Sequence, residues 1–136
     1  MSDDPEKDAQ SVSLRQAFFD ESGRRDIERR AREEAERQQQ EADNGRAMAL
    51  YGILAAEGDF LREKRLVLDH TRYAITLDHD NFRLRVYFED DKASVTADKR
   101  NTAHMSAAPR KQETVDSVEA AVERLAQYLA DESFNA

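Results

Sequence analysis

In residues 73–77 and again in residues 82–88 of this 136-residue chain the large apolar residues recur at every second position, and that period leaves little choice of local structure. Tyr73, Ile75 and Leu77 alternate with Arg72, Ala74 and Thr76, and Phe82, Leu84, Val86 and Phe88 alternate with Arg83, Arg85 and Tyr87. Successive side chains of a strand point to opposite faces, so each run sorts its apolar residues onto one side. Ala93, Val95 and Ala97 form a weaker third set. The connectors His79-Asp80-Asn81 and Asp90-Asp91-Lys92 are short and rich in turn formers. The pattern predicts a three-stranded antiparallel meander with one buried face.

A one-faced sheet needs a cover. Val115, Val118, Val122, Leu125 and Leu129 repeat at 3-4-3-4 spacing, which draws a single apolar stripe along a helix. Thr114 fits the N-cap of that helix and Asp116 its first turn. Residues 98–112, DKRNTAHMSAAPRKQ, read as the loop that leads into it. The expected fold class is α+β, with N-terminal helices, a three-stranded antiparallel meander and a C-terminal amphipathic helix packed on the sheet.

Upstream of the sheet the sequence changes character. Charged residues make up 37% of the chain and are densest in residues 24–43, RRDIERRAREEAERQQQEAD, where Ile27 is the one large apolar side chain. Pairs such as Glu33 with Arg37 suit a solvated helix, and a helix with so little to bury reads as a projecting, partner-binding element. Asn44-Gly45 is a helix-stop signal, yet the apolar stretch Arg46 to Ala56 resumes at once, so one helix and two helices both fit residues 24–56. In one helix, Ala35, Ala42, Ala49 and Ala56 fall at seven-residue intervals, with Ala31, Gln38, Gly45 and Gly52 between them. That is a seam of small residues suited to close helix approach. Residues 60–69, FLREKRLVLD, fit either a short helix or a first strand. Before residue 24, Ser13 and Gln16 fit a capping box, Leu14 and Phe18 lie one turn apart, and Gly23 fits the close of a short turn. The expected organisation is a mobile acidic tail over 1–23 with a short aromatic anchor, a charged projecting helix over 24–43, and a compact α+β domain over 44–136.

The functional reading is mostly one of exclusion. There is no cysteine, so no disulfide, thiolate nucleophile or Cys-based zinc site. The four glycines are not clustered, which removes the Walker A loop and the GxGxxG fingerprint, and there is no GxSxG. His70, His79 and His104 lack the paired spacing of a metal site. The opening MSDDPEKDAQ has neither the basic nor the apolar region of a signal peptide, and no apolar run approaches the roughly 20 residues of a membrane span. These features predict a cytoplasmic chain with no enzymatic role, no cofactor and no metal.

What remains is binding. A net charge of -8 argues against general phosphate binding, but Lys99, Arg100, Arg110 and Lys111 form a local basic stretch. The order helix, three strands, helix is similar to that of double-stranded RNA-binding domains, which grip phosphates with lysines at the start of the last helix. Arg110 and Lys111 stand near that place, although Glu113, Asp116, Glu119 and Glu123 depart from the pattern. At the level of size, acidity and a one-faced sheet, the chain is also similar to the small dimeric chaperones of secretion systems. The preferred expectation is a homodimeric, non-catalytic protein-interaction module (regulator, adaptor, inhibitor or chaperone-like). Leu14, Phe18, Phe19, Ile27, Ala31, Ala35 and Ala42 are its candidate partner-binding residues. RNA binding through residues 99–111 is the alternative, and a small enzyme using His70 or His79 is the second.

Overall fold

A computed structural model describes residues 13–100 and 111–135. The fold is α+β: a long N-terminal helix, a five-stranded antiparallel sheet and a C-terminal helix. The chain divides into two compact units, residues 1–38 and 39–136. His104, Arg110 and most of the acidic leader lie outside the described residues.

Helix α1 runs unbroken over Leu14–Ala55. Its first turn is capped by Ser13, whose Oγ accepts the Gln16 N–H at 3.0 Å. The reciprocal half of a capping box is missing, because the Gln16 amide donates instead to Asp20 at 2.9 Å. Gly23 and Gly45 lie inside the helix rather than ending it. A mid-helix glycine costs only about 1 kcal/mol relative to alanine, and helix-forming neighbours on both sides outweigh that. In the 1–38 unit the described residues are held by ion pairs one turn apart. Glu21 receives Arg25 at 2.8 Å and Arg24, while Asp26 receives Arg30 at 3.1 Å and Arg29. Arg37 pairs with Glu34, not with Glu33.

In the 39–136 unit, α1 buries Asp43, Ala47, Leu50 and Leu54 along one face. Helix α2 covers Gly58–Glu63, so the ambiguous stretch 60–69 divides between a short helix and the start of a strand. The strands are β1 (Val67–Thr71), β2 (Ala74–Asp78), β3 (Phe82–Glu89), β4 (Lys92–Lys99) and β5 (Lys111–Val115), paired in chain order. The meander is therefore right, and three strands is an undercount. The two additions are the edges. Strand β5, KQETV, carries no apolar alternation, because an edge strand needs only backbone pairing to β4. Its presence moves the last helix: α3 spans Val118–Asn135 and is capped by Ser117, whose Oγ accepts the Ala120 N–H at 3.0 Å. Thr114 and Val115 thus lie in the sheet, not in the helix. With five strands, the strand count that resembles RNA-binding domains no longer holds.

The inner face of the sheet and the two helices share one core. Ile75, Leu84, Val86, Phe88 and Val95 are fully buried, with Ala47 and Leu50 from α1 and Ala121, Leu125 and Tyr128 from α3. Val118, Val122 and Leu129 are only partly buried, so the α3 stripe is rotated from the one read in the sequence.

Asp43 fixes α1 to the sheet. Glu89 pairs with Lys92 across a two-residue turn in which Asp90 and Asp91 have φ of 51° and 67°. Two positive φ values define the type I′ turn that matches strand twist. Its N–H groups point at the helix, where the Asp43 carboxylate accepts from Asp90 at 3.1 Å and Asp91 at 3.2 Å. Gln39 and Arg46 flank this contact and both reach the Asp91 carboxylate. The Gln39 amide, with Arg46 beside it, holds that carboxyl below its ordinary range.

Three outcomes are expected in equilibrium urea unfolding. Val86→Asp and Leu125→Asp are each expected to destabilise by more than about 3 kcal/mol, since they bury an unpaired carboxylate. Val122→Asp is expected to cost less than half as much. Asp43→Ala is expected to cost about 1–3 kcal/mol by stripping the turn of its acceptor. A wild-type midpoint for Asp43→Ala would mean that the contact does not hold the hairpin.

Candidate functional site

Among the described residues, two uncovered apolar features stand out, one in each unit. The first is the opening of α1. Leu14 is 88% exposed, Phe18 62%, Phe19 56% and Ile27 70%. The two phenylalanine rings meet edge to face with centroids 5.5 Å apart, and the Arg15 guanidinium lies over Phe19 at 5.9 Å. Nothing among the described residues shields them from water. The helix is acidic beside them: Asp20 has no cation partner among the described residues, whereas Glu21 is held by two arginines. Hydrogen bonds from Arg24 and then Arg25 lower the Glu21 carboxyl from 4.5 to about 2.

The second feature is a groove of about 410 Å³ in the 39–136 unit. Leu54 of α1 with Phe60 and Leu61 of α2 form one wall, and Val122, Leu125 and Leu129 of α3 form the other. Leu66, just before β1, and Leu77, near the end of β2, also line it. Phe60 is 42% exposed, and the Lys64 ammonium sits 5.9 Å from its ring. Among the described residues, Glu57 and Lys64 are the charged residues that line the groove. Such a surface offers hydrophobic burial with a polar rim, the usual composition of a recognition pocket. Sequence reasoning missed it. The available signal was a surplus of apolar residues over 53–66 that a three-stranded sheet does not need.

The seven-residue spacing stays helical only as far as Ala49, because α1 ends at Ala55 and Ala56 lies in the turn that follows. Ala31, Ala35, Ala42, Ala49 and Ala56 are exposed, and a Cβ added at Gly45 or Gly52 meets nothing within 4 Å. In the 39–136 unit this face, with Met48 and Ile53 beside it, lies opposite Asp43, Ala47, Leu50 and Leu54.

The basic stretch is brought together only in part. Lys99 is exposed at the end of β4. Arg100 donates to the His79 carbonyl at 3.2 Å and lies 3.7 Å from Asp78. Lys111 pairs with Asp131 at 2.7 Å over the Tyr128 ring. Two of the four cations therefore already face carboxylates. His79 stacks on Phe82 with its Nδ1 accepting the Asn81 N–H at 3.1 Å, and His70 packs against Tyr51. The outer face of the sheet holds a shallower hollow of about 310 Å³ among Arg85, Tyr87, Ser94 and Thr96. Among the described residues no group of three or more His, Asp or Glu is placed to hold a metal ion. No described helix is long and apolar enough to cross a membrane.

Compared with protein-family models, curated proteins and solved structures, the chain has no match.

A carboxyl whose value is lowered in the helix supports the helix above its ordinary range, and that support is lost as pH falls from about 4.5 through about 2. The Glu21 side-chain NMR resonance is expected to titrate with a midpoint near 2. Arg24→Ala with Arg25→Ala is expected to return it toward the ordinary range. A Glu21 midpoint that the double substitution does not move would remove the arginines as its cause.

Proposed function

We propose that this chain is a non-catalytic protein-interaction module, a regulator, adaptor, inhibitor or chaperone-like factor that binds another protein and is itself a homodimer. The observation that carries the reading is the exposure of Leu14, Phe18, Phe19 and Ile27 on α1. Fully burying one phenylalanine gains roughly 1.5–3 kcal/mol, so an apolar cluster left in water holds free energy that only a partner can collect. Ala31 and Ala35 in the 1–38 unit, and Ala42 in the 39–136 unit, offer side chains small enough for a second helix to approach closely. The absence of cysteine supports work in the reducing cytoplasm.

Affinity capture from native extract tests the proposal, with the full chain and a Phe18→Ala/Phe19→Ala variant as baits. The expected outcome is a stoichiometric partner retained by the first bait and reduced at least tenfold with the second, while the two baits melt within about 2 °C of each other. Identical capture by both baits would reject the surface. Tight, salt-sensitive binding to duplex RNA at physiological salt, abolished by neutralising Lys99, Arg100, Arg110 and Lys111, would replace the proposal with the nucleic-acid reading.

A further inference from the structure

The outer face of the sheet carries a ligand-sized hollow that the proposed partner surface does not use. We infer that Arg85, Ser94 and Thr96, with the Tyr87 ring beside them, bind the phosphoryl group of a small phosphate monoester. This site is independent of the surface at Leu14, Phe18 and Phe19.

Strand register builds the hollow. Arg85 lies opposite Thr96, and Tyr87 lies opposite Ser94, on the paired strands β3 and β4. All four alternate with the buried Leu84, Val86, Ala93 and Val95, so their side chains share the outer face. Two long side chains on β3 stand beside two short ones on β4, and the difference in reach leaves about 310 Å³ open. That volume is at the lower end of the range for small-molecule sites. Strand β3 is the middle one of five, so the backbone beneath the hollow is paired on both sides. A site carried on such a strand is held more precisely than one on a loop.

The groups that meet there are donors. The Arg85 guanidinium lies 5.7 Å from the Tyr87 ring and has no carboxylate partner among the described residues. Arg83, on the same strand and face, is by contrast bound to Asp78 at 2.5 Å. The Ser94 Oγ accepts the Gln112 amide N–H at 3.1 Å, which leaves the Ser94 O–H to donate. The Thr96 hydroxyl has no protein partner among the described residues. A planar carboxylate presents two oxygens, which the fork of one guanidinium already satisfies. A phosphate monoester presents three, and the third can take the hydroxyls across the strand.

The surrounding charges leave Arg85 available. Its four neighbours on this face are Thr76, Thr96, Arg83 and Tyr87, none of them acidic. Asp78 and Asp98 lie diagonally, each opposite Arg83 on its own strand. Asp69 stands one strand beyond Thr76, and Glu89 lies past Tyr87, opposite Lys92. The net charge of -8 opposes an anion at long range, but salt at physiological strength screens it beyond about 8 Å.

Amide NMR on the full chain tests the site, with phenyl phosphate titrated at about 0.15 M salt. The resonances of Arg85, Tyr87, Ser94 and Thr96 are expected to move along one saturating isotherm. Arg85→Gln is expected to weaken binding at least about tenfold. Arg85→Lys, which keeps the charge and loses the fork, is expected to weaken it about threefold or more. Both variants are expected to keep the wild-type urea midpoint, and Phe18→Ala/Phe19→Ala to bind phenyl phosphate unchanged. No saturable shift by about 10 mM overturns the inference, as does a shift that persists in Arg85→Gln. Benzoate binding as tightly as phenyl phosphate removes the phosphoryl class. A single-stranded oligonucleotide binding more than tenfold tighter, with a steep salt dependence, replaces the small ligand with nucleic acid. None of these results bears on partner capture through Phe18 and Phe19, so the two readings fail separately.

Discussion

Phe82, Leu84, Val86 and Phe88 point to one side of the sheet, and taking that row out of water organises the chain from residue 39 onward. Each such side chain gains roughly 1.5–3 kcal/mol on burial, while each ordered residue loses about 1–2 kcal/mol of backbone entropy. A strand that alternates apolar and polar residues recovers this loss only if its apolar face is covered. The end of α1 and all of α3 supply the cover, and Asp43 sets where α1 sits by taking the N–H groups of the β3–β4 turn. Where the cover is incomplete, between α2 and α3, the groove opens. The groove is thus a by-product of the same constraint that builds the core.

Legibility in the sequence followed the strength of each physical signal. The β2–β3 run was readable because Phe82 to Phe88 alternate without exception, and the Asp90-Asp91 turn because aspartate tolerates positive φ. Strand β5 was not, since Lys111, Gln112, Glu113 and Thr114 pair through their backbone and leave no apolar trace. The missed strand took Val115 out of the last helix and shifted its cap from Thr114 to Ser117. Gly45 looked like a stop, but a glycine ends a helix only where the chain must turn left-handed, and here Asp43, Ala47 and Leu50 are anchored on both sides of it. Of the candidate site, the exposed residues Leu14, Phe18, Phe19 and Ile27 were legible as apolar side chains out of place among charges. The groove was not, because the neighbouring residues Leu54, Phe60 and Leu61 meet Val122, Leu125 and Leu129 from the far end of the chain.

Residues 14–38 show a different economy. Their pairs, Glu21 with Arg24 and Arg25, Asp26 with Arg29 and Arg30, and Glu34 with Arg37, all lie three or four residues apart. Exposed pairs of this kind contribute only a few tenths of a kcal/mol each and weaken with salt. Helical order there is a sum of small local terms, with no core to make it all-or-none. A surface of this kind is inexpensive to reshape against a partner, unlike the sheet, where one buried residue influences many others.

The strand order of the sheet is the order of the chain, β1 to β5, with every neighbour antiparallel and joined by a short connection except at β4–β5. Loop closure is cheapest for contacts near in sequence, so topologies made of sequential hairpins fold faster than those that must first bring distant strands together. The β2–β3–β4 hairpins can therefore zip from their own turns before either helix docks. The slow event is left to α1 and α3, whose contacts with the sheet span the longest stretches of chain. Until they arrive, the row from Phe82 to Phe88 stands in water, and the interval between zipping and docking sets how long the nascent sheet is open to misassociation.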